Sequence, residues 1–211
     1  MQYDAELAKV LKNQERLLNS LDKAFFANTR NSNIGIRLAK LYKDNGSIDK
    51  AISVLDSAID ANRSDIKIKY LKAKLLFEVN EPKYRKEILY LLDKSYNEND
   101  RNYDGKLLYG RELFISKDYQ KSFDIFDTLK EVFINEDAKN SINYTISNSY
   151  YGEIVNKQLN FLFIKLDDIP KDIFAHINQN DNIWENLNVG DKINFKIGFN
   201  FKGPVAYDIS K

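Results

Sequence analysis

The chemistry best supported in this 211-residue chain is aromatic stacking. Phe161 and Phe163 alternate with Leu162 and Ile164, and Phe174 and His176 alternate with Ile173, Ala175 and Ile177. Successive side chains of a strand point to opposite faces. Each run therefore has an aliphatic face, sufficient for the core side of a small barrel, and a second face of rings. Rings exposed on a small sheet let unpaired bases stack, at about 1–3 kcal/mol per base. Residues 160–177 thus read as two short strands joined by a charged turn with Pro170.

Other chemistries have little footing. His176 is the only histidine, so a Ser-His-Asp site would have to borrow a stacking residue. The sequence has no glycine-rich phosphate loop and no metal-ligand spacing. It has no cysteine, hence no disulfide framework, thiolate metal site or thiol nucleophile. Carboxylates are plentiful but scattered along amphipathic stretches, where a solvated face explains them. No enzymatic activity, cofactor or metal is expected.

At these residues the sequence resembles a cold-shock domain, the five-stranded OB-fold barrel that binds single-stranded nucleic acid. Residues 160–164, NFLFI, resemble the first ribonucleoprotein motif of that family, and residues 172–177, DIFAHI, the second. Trp184-Glu185-Asn186-Leu187 with residues 190–195, GDKINF, resembles the segment in which an aromatic precedes L-x-x-G-x-x-V-x-F. Residues 200–206, NFKGPVA, resemble the closing N-x-(K/R)-G-P-x-A pattern. The resemblance implies base-stacking roles for Phe161, Phe163, Phe174 and His176, and for Trp184 in the loop that follows. It also implies a phosphate or base contact for Lys202. Asn156 stands about where the family carries a tryptophan on its first strand. From residue 144 onward there are 7 Lys and no Arg against 8 acidic residues, a net charge of −1. Phosphate neutralisation drives salt-dependent affinity, so the barrel alone is expected to bind modestly.

The elements before the barrel are helical in periodicity. Ala24 and Ala58 lie 34 residues apart in similar surroundings, and Leu21 and Leu55 keep the same offset. That is the period of the tetratricopeptide repeat, a pair of antiparallel helices. Residues 32–65 resemble that family best, with Leu38-Ala39 and Tyr42, Gly46 and Ile48 at the turn, then Ala51, Leu55 and Ala58. Gly35 replaces the tryptophan of the pattern. A second copy has Ala73, Leu76, Ile88 and Leu92, with three extra residues around 79–82, at the turn between its helices. A third has Tyr109-Gly110, Leu113, Tyr119, Ser122, Phe126 and Leu129. Residues 3–27 are either one long helix or two. In this family the first helix of each copy lines a concave groove. By that resemblance the groove here would hold Lys40, Lys43, Lys67, Tyr70, Lys74, Arg111 and Phe114, a basic row with aromatics between, suited to an acidic peptide or to extending the nucleic-acid track from the barrel.

Lys plus Arg number 32 and Asp plus Glu 31, so net charge does not announce nucleic acid. No apolar run is long enough to span a membrane, and residues 1–14 lack the features of a signal peptide. A cytoplasmic, bacterial protein is expected. Residues 137–149 are rich in Asn and Ser and read as a linker, or as a helix end and a short connection, with the barrel starting near Tyr150. The expected architecture is a tetratricopeptide-like α-solenoid over residues 1–140 and a cold-shock-like β-barrel over 144–211. The expected function is a single-stranded nucleic-acid-binding adaptor, for RNA ahead of DNA, in which the repeats dock a protein partner or extend the binding track. The alternative is a protein-interaction scaffold, or the regulatory region of a larger effector, whose barrel no longer binds nucleic acid.

Overall fold

The structure, a computed structural model, describes residues 2–211, with side chains from Lys12 onward. It divides into two compact units, Met1–Tyr96 and Asn97–Lys211.

The first unit is all helix: α1 (Gln2–Ala27), α2 (Ser32–Asp44), α3 (Ile48–Ala61) and α4 (Ile66–Ser95). Residues 3–27 thus belong to one helix. Local chemistry sets the boundaries. Asn31 caps α2 by accepting from the Ile34 amide at 3.3 Å, and Asp65 caps α4 by accepting from the Lys67 and Ile68 amides at 3.0 and 3.2 Å. Past the end of α2, Gly46 takes φ +73°, its amide donates to Lys43 O, and the Ser47 amide donates to Tyr42 O. This is a Schellman turn, which favours glycine because it needs a left-handed residue. At Asn80, with φ −166° and ψ 80°, α4 breaks, and the Asn80 side chain caps the second half by accepting from the Lys83 amide. The three-residue insertion therefore falls at the turn between two helices. Gly35 leaves the space a bulky residue would fill; a β-carbon there would lie 3.0 Å from the Phe25 ring, which occupies it from α1. Phe25, Leu38, Ala39, Ala51, Leu55, Ala58 and Ile68 form the core.

The second unit begins with a helical hairpin, α5 (Tyr103–Ile115) and α6 (Tyr119–Lys130), followed by the short α7 (Glu136–Asn140). Gly110 lets the hairpin close, because a β-carbon there would lie 2.8 Å from the Phe126 ring, and the Ser122 hydroxyl donates to Gly110 O at 2.7 Å. Then come β1 (Tyr144–Lys157), β2 (Phe161–Lys165), β3 (Ile173–His176), β4 (Lys192–Asn200) and β5 (Gly203–Ser210). They close into a barrel in the order β1-β2-β3-β5-β4, in which only the β3–β5 pair is parallel. Residues 137–149 hold the end of α7, a three-residue connection and the first residues of β1, which begins at Tyr144. Helix gives way to strand between 140 and 144, yet the compact units divide earlier, between Tyr96 and Asn97. The reason is a shared core. Phe114 meets Phe199 of β4 edge-on at 5.4 Å, and Phe126 stacks on the same ring at 5.9 Å.

Candidate nucleic-acid interface

Strands β2 and β3 pair antiparallel, with Phe161 opposite His176 and Phe163 opposite Phe174. Directly opposed residues share a face. Leu162, Ile164, Ile173 and Ala175 are fully buried in the barrel, and the four rings lie half-exposed on the other side. Phe174 is the hub of the row. It stacks on Phe161 at 5.9 Å and meets Phe163 edge-on at 5.8 Å and His176 tilted at 6.3 Å. The Asn178 amide donates to His176 Nδ1 at 3.2 Å. That bond makes Nδ1 the acceptor and leaves Nε2 as the N–H donor of the neutral ring. A shift of register in β1 between Ile154 and Asn156 sets the exposed Asn156 opposite Phe163, so an amide stands beside the ring row on that strand.

Trp184 does not join them. It lies in a 3₁₀ turn after β3, 2% exposed, and its Nε1–H donates to Leu159 O at 3.0 Å. Lys157 sits 5.6 Å from its ring and donates to Trp184 O and Leu187 O at 2.7 and 2.8 Å. The expected stacking role is corrected: the indole is a plug, because its N–H finds a buried carbonyl and its apolar body fills the core. Lys202 occupies the β4–β5 turn, with its side chain 44% exposed and its Nζ 3.0 Å from Glu136 Oε2 on α7. Hydrogen bonds from Lys202 and then Lys139 hold the Glu136 carboxyl below its ordinary range. A groove of about 490 Å³ runs beside the ring row, lined by Phe174, His176, Asn178, Asn200 and Lys202 among others.

The first unit has a groove of its own, about 300 Å³, with Lys40, Lys43, Tyr70 and Lys74 around an apolar floor that includes Ile36, Leu71 and Leu75. Lys43 forms an ion pair with Glu78, which also lines it. Lys67 is exposed on α4 but is not among the lining residues. Arg111 and Phe114 are corrected outright. Both are buried in the second unit, at 5% and 1% exposure, where Arg111 pairs with Glu112 and donates to Thr145 O at 3.2 Å. In the third hairpin the face expected to line a groove packs on the barrel instead.

Residues 153–211 match the family model described as the 'Cold-shock' DNA-binding domain, and residues 18–75 match the tetratricopeptide repeat. The chain carries a tetratricopeptide repeat followed by a cold-shock domain. Among solved structures it is similar to a tetratricopeptide repeat protein from Parabacteroides merdae ATCC 43184, at 21% identity and a TM-score of 0.49 over 62% of this chain and 51% of that one. It is also similar to YrrB, described as a TPR protein with an unusual peptide-binding site, at 17% identity and a TM-score of 0.48 over 60% and 64%. MamA matches at 16% identity and a TM-score of 0.45 over 57% and 68%. No curated protein matches the chain.

A cold-shock domain suggests nucleic-acid binding, and a tetratricopeptide repeat suggests protein interaction. Both families are typically non-enzymatic. Among the described residues no group of His, Cys, Asp or Glu could hold a metal ion, and no helix is long and apolar enough to cross a membrane. Sequence reasoning missed Asp137 and Asn140 of α7, which line the groove beside the cold-shock rings. They precede the matched domain and sit in the stretch read as a linker or as a helix end and a short connection, so only the fold brings them there.

Proposed function

We propose that the chain is a single-stranded nucleic-acid-binding adaptor. Bases stack on Phe161, Phe163, Phe174 and His176, while the groove of the repeats takes a protein partner. The observation that carries the reading is the ring row itself: four aromatic side chains, half-exposed on one sheet face, opposed in register. Lys202 at the neighbouring turn supplies a cation for a phosphate once it leaves Glu136. The Lys40, Lys43 and Lys74 rim over an apolar floor suits a peptide with acidic and apolar side chains.

Fluorescence anisotropy of labelled oligo-U and oligo-dT tests this. Saturable binding at low salt that weakens as salt rises is the expected result, and the ratio of the two affinities gives the RNA or DNA preference. Flat titrations with both oligonucleotides at low salt would sink it. That result would favour a scaffold whose barrel has lost nucleic acid, a reading supported by the net charge of −1 from residue 144 onward and by the Glu136 partner already on Lys202.

A further inference from the structure

The groove beside Phe174 and His176 has walls that stacking alone does not use. Its volume, about 490 Å³, lies inside the roughly 300–1,000 Å³ usual for ligand sites. Helix α7 contributes Asp137 and Asn140, and the turn after β3 contributes Asn178 and Gln179. Among the described residues, the Asp137 carboxylate and the side-chain amides of Asn140, Asn178 and Gln179 make no hydrogen bond within the protein; the bonds at Asp137, Asn140 and Asn178 all run through their backbones. Polar groups of this kind, beside a stacking ring, are what reads the edge of a splayed base.

The charges decide what faces α7. Glu136 there is paired with Lys139 and Lys202, while Asp137 has no ion-pair partner among the described residues, and an unpaired carboxylate repels a phosphate. A base edge with N–H donors is favoured by the same carboxylate. A carboxylate is acceptor-only, with two oxygens that take parallel N–H donors. On the Watson–Crick edges only guanine presents two adjacent donors, N1–H and the N2 amino group. Adenine and cytosine each set one amino group beside an acceptor nitrogen, and uracil and thymine set one N–H between two carbonyls. Guanine O6 and N7 are acceptors, and the carboxamides and the Nε2–H of His176 are donors for them.

We propose that this groove is a guanine pocket at the His176 end of the ring row, with Asp137 reading N1–H and N2–H. The proposal rests on the single-strand reading above and adds base selectivity to it. Part of its wall, Asp137, Asn140 and Ser141, lies outside the matched cold-shock domain.

The test is anisotropy on the full chain with labelled oligo-dT and with the same oligomer carrying one guanine, adenine or cytosine at each position in turn. The best guanine oligomer is expected to bind about tenfold tighter than oligo-dT, as one bidentate base contact discriminates. In Asp137→Asn the guanine advantage should fall to within about twofold, while oligo-dT binding persists or tightens because a negative charge is gone. Asp137 is exposed and its cap bonds are made by its backbone, so the fold does not depend on its carboxylate. No guanine preference, an equal gain for adenine, or a guanine advantage that survives Asp137→Asn would each overturn the pocket while leaving the stacking surface intact. Absence of binding to every oligomer would defeat the single-strand reading itself, and the pocket with it.

Discussion

Replacing Phe174 with alanine is the sharpest test of the ring row, because this ring touches the other three. It stacks on Phe161 at 5.9 Å and lies within 5.8 and 6.3 Å of Phe163 and His176. Loss of one stacked base is worth about 1–3 kcal/mol, or roughly fivefold to 150-fold in affinity. The upper half of that range is expected, since the substitution also leaves Phe161 and His176 without the neighbour that orients them. Stability suffers less than for a core ring. A fully buried Phe→Ala costs about 3–5 kcal/mol, and Phe174 is half-exposed, so about 2 kcal/mol is reasonable. A domain with the usual roughly 5–15 kcal/mol survives that. Trp184 supplies the control. Buried and hydrogen-bonded to Leu159 O, it reports folding by its fluorescence and not ligand contact. Anisotropy with labelled oligo-U and oligo-dT, read beside a urea titration of Trp184, separates the two effects. A folded Phe174→Ala variant that binds within twofold of the wild type would refute the stacking argument.

Glu136→Gln should release Lys202, tighten oligonucleotide binding severalfold at low salt and steepen the salt dependence by somewhat less than one unit, the increment for one more phosphate contact on a single strand; an unchanged slope would remove Lys202 from the site. The same residue gives a pH signature. Its folded-state pKa lies below the ordinary 4.5, so its ion pairs add stability above pH 4.5 and lose it as the pH falls through the lowered value. The wild type should therefore hold an advantage over Glu136→Gln in urea at neutral pH that disappears in acid. Lys117 ends α5 with φ 65° in a turn bonded like the one at Gly46; a left-handed non-glycine costs about 1–2 kcal/mol, so Lys117→Gly should raise the urea midpoint of the second unit, and a lowered midpoint would contradict the strain. Phe114→Ala should destabilise the second unit by about 3–5 kcal/mol, read by Trp184 fluorescence, with no role as a groove contact; a stable variant with weakened partner binding would reverse that assignment.

Where periodicity and burial coincide, the sequence was legible. The alternation in residues 161–164 and 173–176 separates core from rings because one face of a barrel strand must be apolar, and those aliphatic residues are fully buried. The helical repeats were legible for the same reason, and Gly46 and Lys117 fall 71 residues apart, two periods plus the three-residue insertion. The failures share one cause: a residue whose partner is distant in sequence. Trp184 reads as a loop aromatic until Leu159 O is known to take its N–H. Arg111 and Phe114 sit at groove positions of their repeat, but the next layer is the barrel and not another repeat. The first half of β1 was hidden because only Ile146 is buried between Tyr144 and Tyr151, so no alternation marks it.

The hairpin and α7 do more than extend a solenoid, because they hold both loops that flank the ring row. At the β2–β3 loop, Lys171 donates to Asp127 of α6 at 3.2 Å and lies 5.0 Å from the Phe123 ring. At the β4–β5 turn, the Phe201 amide donates to Lys139 O at 3.2 Å and the Asn200 side chain to Asn140 O at 3.3 Å. Exposed ion pairs such as Lys171–Asp127 and Lys202–Glu136 are worth only about 0–1 kcal/mol and weaken with salt. The backbone acceptors Lys139 O and Asn140 O are neutral and do not. Salt therefore frees the Lys202 ammonium without freeing the turn that carries it. A barrel with a net charge of −1 gains little from phosphate attraction, so the single-strand reading rests on stacking at a surface already in place. Ordering a mobile side chain on binding costs about 0.5–1.5 kcal/mol, and loops fixed beforehand by α6 and α7 avoid part of that cost. Residues 97–140 thus belong with the ring face in packing, and on the single-strand reading they hold its flanking loops in place.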